Sequence, residues 1–183
     1  MQRIFACFSD TTYPLELSCG CGFCRIAGRA SGHVAGQMTV HSEKRVIHHR
    51  PEDLYHLVAD VRSYPEFLPW CLAARIRQES THDLTADLII GFNMFRERFT
   101  SYVQLDPDTL EINVAYAEGP FKYLRNRWVF HPHPDGCEIE FYVDFEFNSR
   151  LLQSVIETLF TEAVKRMVRA FESRAGALYK TTS

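Results

Sequence analysis

Most features that would announce a function are missing from this chain. No run of like charge occurs in its 183 residues, and the formal net charge is −3. Phosphate backbones call for clustered cations, so broad nucleic-acid binding, and DNA binding above all, is disfavoured. No apolar run approaches the roughly 20 residues that span a bilayer, so any membrane contact is expected to be peripheral. No phosphate-cradling glycine loop, HExxH pair or Ser–His–Asp order is present. The eight histidines are scattered; His48, His49, His131 and His133 stand at strand ends and are expected to be solvated. These absences argue against an enzyme.

No secretory leader with an apolar core and a small-residue cleavage site is recognisable, and a reducing, cytoplasmic compartment is the simplest expectation. Four of the six cysteines, Cys7, Cys19, Cys21 and Cys24, fall in the first 24 residues. Cys71 and Cys137 lie far apart in strand-like segments, where buried free thiols are expected. Residues 1–37 carry no helical or strand period, so they are expected to be a disordered tail or an extension ahead of the true initiator, Met38. Cys19, Cys21 and Cys24 with His33 have the donor chemistry for zinc, but C-x-C-x2-C is unlike the paired knuckles of structural zinc sites, and no metal is expected. Arg3, Arg25 and Arg29 suit a transit peptide, whereas Asp10 and Glu16 do not.

What is present is a run of strands rich in phenylalanine. Ser42 to His49 reads as a first strand. Pro51, followed by Glu52 and Asp53, opens a helix, with Leu54, Leu57, Val58 and Val61 on one face. Ser63 to Trp70 reads as a short helical turn or loop between Pro65 and Pro69. Cys71–Glu79 and the alternating runs that follow are strands, punctuated by Asp106-Pro107-Asp108-Thr109, Gly119-Pro120 and the turn from His133 to Gly136. The last strand alternates most cleanly. Cys137, Ile139, Phe141, Val143, Phe145 and Phe147 point one way, and acidic and polar residues point the other, as in an antiparallel sheet with one covered face. Asn148 or Ser149 can cap a helix from Arg150 to about Tyr179. Its apolar stripe reads Leu152, Val155, Ile156, Leu159, Ala163, Met167, Phe171 and Leu178.

The fold class is therefore α+β. A curved antiparallel sheet of six to seven strands wraps around one long C-terminal helix, with two short helical pieces after the first strand. Periodicity leaves open whether the space between sheet and helix is core or cavity.

The segments Asp60–Cys71, Glu97–Val103, Gly119–Phe130 and Glu138–Leu152 resemble the coenzyme Q-binding branch of the START-like polyketide cyclase/dehydrase and lipid-transport superfamily. The resemblance spans roughly Glu43 to Tyr179, within a lipid-binding domain expected at residues 41–181, and excludes the first 37. It implies a helix-grip fold and a non-enzymatic lipid chaperone that holds ubiquinone as a ligand, with no catalytic cofactor. Such a chaperone supports respiratory electron transfer and quinone synthesis, in contact with respiratory or quinone-synthesis proteins. It would sit peripherally at the inner face of the plasma membrane, or at the mitochondrial inner membrane in a eukaryote. Relatives in the same superfamily are toxins that block ribosomal subunit association, which makes the ribosome an alternative partner. Others are cyclases or hydratases, the least favoured reading.

A quinone host needs a dry, elongated cavity with a few polar groups. Inward strand positions supply Leu88, Ile90, Phe99, Val103, Ile112, Val114, Trp128, Phe141 and Phe145, and the helix supplies Leu159, Ala163 and Met167. Taken singly, each reads as core; the resemblance turns the set into a cavity wall. Glu97, Ser101 and Asn126 interrupt the inward faces and are the candidate polar contacts. They could equally bond one another or water, or lie past a bulge. Phe67, Leu68, Trp70 and Phe121 are candidates for an apolar rim that touches a membrane, with an inward-packed lid as the other reading.

Overall fold

The computed structural model describes residues 38–92 and 95–179. The expectations for residues 1–37, including the cysteine cluster, lie outside the described residues.

The elements are β1 (Thr39–Ile47), α1 (Pro51–Ala59), a single 3₁₀ turn (Val61–Ser63), α2 (Tyr64–Phe67), β2 (Cys71–Glu79), β3 (Asp83–Phe92), β4 (Phe95–Asp106), β5 (Glu111–Glu118), β6 (Phe121–His133), β7 (Gly136–Phe147) and α3 (Arg150–Leu178). All seven strands form one antiparallel sheet in the order β1-β7-β6-β5-β4-β3-β2. From β2 to β7 the chain is a meander, and β1 then adds to the free edge of β7. The two short helices lie in the link from β1 to β2, as expected, and the strand count settles at seven.

Local chemistry accounts for the boundaries. Pro51 opens α1, where a missing N–H costs nothing, and Glu52 and Asp53 sit in its first turn. At the β4–β5 turn the Asp106 carboxylate accepts from the backbone N–H groups of Asp108 and Thr109, both at 3.1 Å. Gly136 has φ +130° in the β6–β7 turn, and a Cβ there would lie 2.4 Å from the Ile47 carbonyl oxygen. Only glycine fits that approach. Ser149 caps α3 by accepting from the Leu152 N–H.

The concave face of the sheet carries Ala86, Val103, Ile112, Trp128, Phe141 and Phe145, all buried. Leu54, Leu57 and Val58 of α1 and Leu152, Phe171 and Ala175 of α3 join the same core. The convex face is charged and paired. Its most enclosed charged group among the described residues is the Asp87 carboxylate, which accepts from Arg77, Arg98 and Thr100. Desolvation raises its pKa, but the bonds from Thr100, Arg77 and Arg98 outweigh this and hold it at about 2.

Two expectations require correction here. His49 is buried, not solvated, beneath the β6–β7 turn, and its Nδ1 has no partner. On α3 the inward stripe runs Leu152, Ile156, Phe160, Val164, Met167, Phe171 and Ala175, while Leu178 is 51% exposed.

Candidate functional site

Between the concave sheet face and α3 lie two apolar compartments of about 220 and 250 Å³. Both are lined by Trp70, Ile90, Phe99, Leu124, Asn126 and Met167, so they meet at a shared waist. The first compartment extends beneath α1 and α2. Val58, Val61, Tyr64 and Leu68 form that wall, and Leu88, Ser101, Val103, Ile112, Val114 and Trp128 form the opposite one. The second extends under the N-terminal half of α3, between Phe121, Phe141, Phe145 and Phe147 from the sheet and Ile156, Phe160, Ala163 and Val164 from the helix.

The meeting of elements explains the hollow. A strongly curved sheet cannot follow a straight helix of 29 residues, about 44 Å long, over its whole length. Ile156, Phe160, Ala163 and Met167 are only partly buried, which is what residues facing a gap show. β5 and β6 pair only from Glu111↔Val129 to Ala115↔Arg125, so the sheet loosens towards Tyr116 and Leu124, beside the waist. A register shift between Thr100 and Ser101 lies on the neighbouring β4–β5 ladder, and such bulges re-aim side chains.

Among the described residues no Asp, Glu, Lys, Arg or His lines either compartment. The ionisable groups in the wall stay neutral at ordinary pH. Burial pushes the Tyr64 phenol up, and its hydroxyl donates to the Val58 carbonyl at 2.6 Å. Burial likewise raises the Cys71 thiol. Two polar atoms in the wall, Ser101 Oγ and Asn126 Oδ1, are buried with no hydrogen-bond partner. Among the described residues no three His, Cys, Asp or Glu side chains gather to hold a metal ion.

Of the residues singled out from sequence, Leu88, Ile90, Phe99, Val103, Ile112, Val114, Trp128, Phe141, Phe145, Ala163 and Met167 line one compartment or both, as do Ser101 and Asn126. Leu159 and Glu97 do not. Leu159 lies one helical step from Phe160, which takes the inward place. Glu97 pairs with Ile90, partly exposed, beyond the cavity wall. Three rim candidates take the inward-packed arrangement, the other of the two readings. Phe121 is buried, stacked on Phe147 with ring centres 4.4 Å apart, and Leu68 is buried in the first compartment. Phe67 packs edge-on against Phe171 at 5.2 Å rather than facing the cavity. Trp70 is partly buried and lines both compartments. Leu124, Phe147, Phe160 and Val164 were not foreseen as lining. Leu124 and Phe147 carried the alternation that reveals them, whereas Phe160 and Val164 required the phase of the helix.

A curved antiparallel sheet gripping a terminal helix over an uncharged apolar hollow defines the START-like class of domains. Residues 47–172 match the family described as polyketide cyclase/dehydrase and lipid transport, and the chain belongs to that family. It is 37% identical over 139 residues to the ribosome association toxin RatA of Rickettsia prowazekii, covering 74% of this chain and 95% of that protein. It is 35% identical over 144 residues to the mitochondrial coenzyme Q-binding protein COQ10 homolog B of Xenopus laevis, covering 76% of this chain and 59% of that one. An 18 kDa protein from Caulobacter crescentus, solved in solution, shares the fold with a TM-score of 0.65 and 34% identity, covering 76% of this chain and 97% of that chain. No helix among the described residues is long and apolar enough to cross a membrane.

Proposed function

We propose that this protein is a lipid chaperone for an isoprenoid quinone, ubiquinone, which it shields in the two-compartment cavity and exchanges with a membrane surface. The observation that carries the reading is the apolar hollow between the sheet and α3, two adjoining compartments that share six lining residues and no charged one among the described residues. Its elongated shape suits a prenylated ring, and pockets of this kind bury most of a ligand's surface. The 35% identity to a coenzyme Q-binding protein supports the same ligand. A reaction of its own finds little support. Cavity chemistry needs an acid or base among the rings, and the carboxylate at Glu97 lies outside the wall. The test is to purify the protein from its native host, extract it with organic solvent and identify the lipid by mass spectrometry. Ubiquinone in near-stoichiometric amount is expected. An empty protein, or one loaded with another lipid class, overturns the reading.

One further reading has a specific observation behind it, the 37% identity to a ribosome association toxin across nearly all of that protein. On this reading the chain binds a ribosomal subunit and lowers the fraction of assembled ribosomes. Sucrose-gradient profiles with and without the purified protein test it, with a shift towards free subunits expected; unchanged profiles remove it.

A further inference from the structure

The cavity wall holds two buried polar atoms without hydrogen-bond partners among the described residues. Ser101 Oγ is 1% exposed, faces the first compartment and has no hydrogen-bond partner. Asn126 Oδ1 is likewise unpartnered, and its residue lies at the waist. A buried polar group left unsatisfied is costly, so natural proteins rarely keep one without a use. One strand, β5, separates the two: Ser101 pairs with Tyr116, and Val114 pairs with Asn126. Both therefore line the first compartment from one concave face, two strands apart, Asn126 at its junction with the second. The other hydroxyl in that wall, on Tyr64, is already bonded to the Val58 carbonyl.

We propose that Ser101 and Asn126 form the polar subsite for the head of the bound lipid, and that this head is uncharged and bears a carbonyl-type acceptor. The Ser101 hydroxyl can donate to such an oxygen, and the Asn126 amide, turned so that Nδ2 rather than Oδ1 faces the hollow, can donate a second hydrogen bond. A carboxylate or phosphate head is disfavoured, because no cation among the described residues lines either compartment and an unpaired buried charge is far costlier than an unpaired dipole. The head thus lies deep, beneath α1 and α2. The tail passes the waist beside Met167 into the phenylalanine-lined second compartment. This rests on the quinone reading above and sharpens it, by naming which end enters first and which lipids are refused.

Both tryptophans of the chain, Trp70 and Trp128, line the first compartment, so a quinone seated there quenches their emission. The experiment titrates the full chain with a short-tailed ubiquinone, then displaces it with a hydrocarbon of the same prenyl tail or with oleate. Two hydrogen bonds to the head predict that wild type prefers the quinone over the hydrocarbon by about 5- to 100-fold. Oleate should compete no better than the hydrocarbon. In Ser101→Ala/Asn126→Leu the preference should fall to about 3-fold or less, with hydrocarbon binding kept. Ser101→Ala alone, which removes one hydroxyl and little volume, should lose part of it and serves where the double variant does not fold. A preference unchanged in these variants, or oleate binding as tightly as the quinone, overturns the subsite while quinone carriage stands. Absence of quinone binding by the wild type overturns both.

Discussion

Asp87 is the buried carboxylate among the described residues. Its side chain is 6% exposed and accepts bonds from Arg77, Arg98 and Thr100 across β2, β3 and β4. The folded carboxyl titrates at about 2, below the unfolded value of roughly 3.9. A depressed pKa contributes stability that is complete above the unfolded value and is lost as pH falls towards 2. Both arginines are substantially exposed, so the contribution is discounted to about 1–2 kcal/mol. Asp87→Asn should therefore lower the urea midpoint at pH 7, and the gap from wild type should close as the pH is taken from 5 to 2.5. A gap that stays constant across that range defeats the assignment. Asp87 drew no notice in the sequence, because an acidic residue on an outward strand position reads as solvated. Ser101 and Asn126 were legible, since strict alternation places them among apolar neighbours on the concave face. The same rule selected Glu97, and there it failed. Alternation gives the face of a strand, but it does not say where along the strand the helix ceases to cover it.

The elements themselves were largely readable, from the proline that opens α1 to the alternation of β7, and the errors were ones of phase and packing. Three-and-four spacing on α3 admits more than one stripe, and Val155, Leu159 and Leu178 belong to a flank that competes with the true one. The covered stripe is fixed by what α3 meets, including Tyr64 and Phe67 of α2 against Phe171 at 5.7 and 5.2 Å. Local signals in Tyr64-Pro65-Glu66-Phe67-Leu68 marked a turn, but no sequence rule gave its docking on a helix about 100 residues away. There Arg174 donates to Glu66 at 2.6 Å and lies over the Phe67 ring. These contacts hold α2 closed over the first compartment. An exposed ion pair is worth about 0.2–1 kcal/mol, so Glu66→Ala should speed ligand release by about 1.5- to 5-fold. Phe67→Ala removes an edge-on aromatic pair together with its buried area and should speed release by about tenfold or more. Stopped-flow recovery of tryptophan emission, with vesicles as quinone acceptor, measures both rates. Wild-type release from Phe67→Ala would mean that the ligand leaves by another route.

Across the whole molecule, the fold keeps an open volume that a domain of this size could have filled. An unliganded apolar hollow forfeits packing contacts, so a ligand bound at 100 times its Kd should add about 2.7 kcal/mol. That corresponds to a rise in Tm of several degrees. The hollow also provides the means to separate the two functional readings, because it can be filled without touching the convex face. Ala163 lines the second compartment from α3, partly buried, where a larger side chain has room to extend inward. Ala163→Phe should occupy the space the prenyl tail needs and weaken quinone binding by at least about tenfold, while the Tm of the unliganded protein stays the same or rises, as cavity-filling changes commonly do. If quinone carriage is the function, this variant fails to restore respiration in a strain lacking the protein, even though it is folded and abundant. If the ribosome is the target and the cavity is incidental, the variant shifts ribosome profiles as the wild type does. A variant that keeps full quinone affinity with a filled second compartment would show that the tail does not lie beneath α3, and would remove the two-compartment mode of binding.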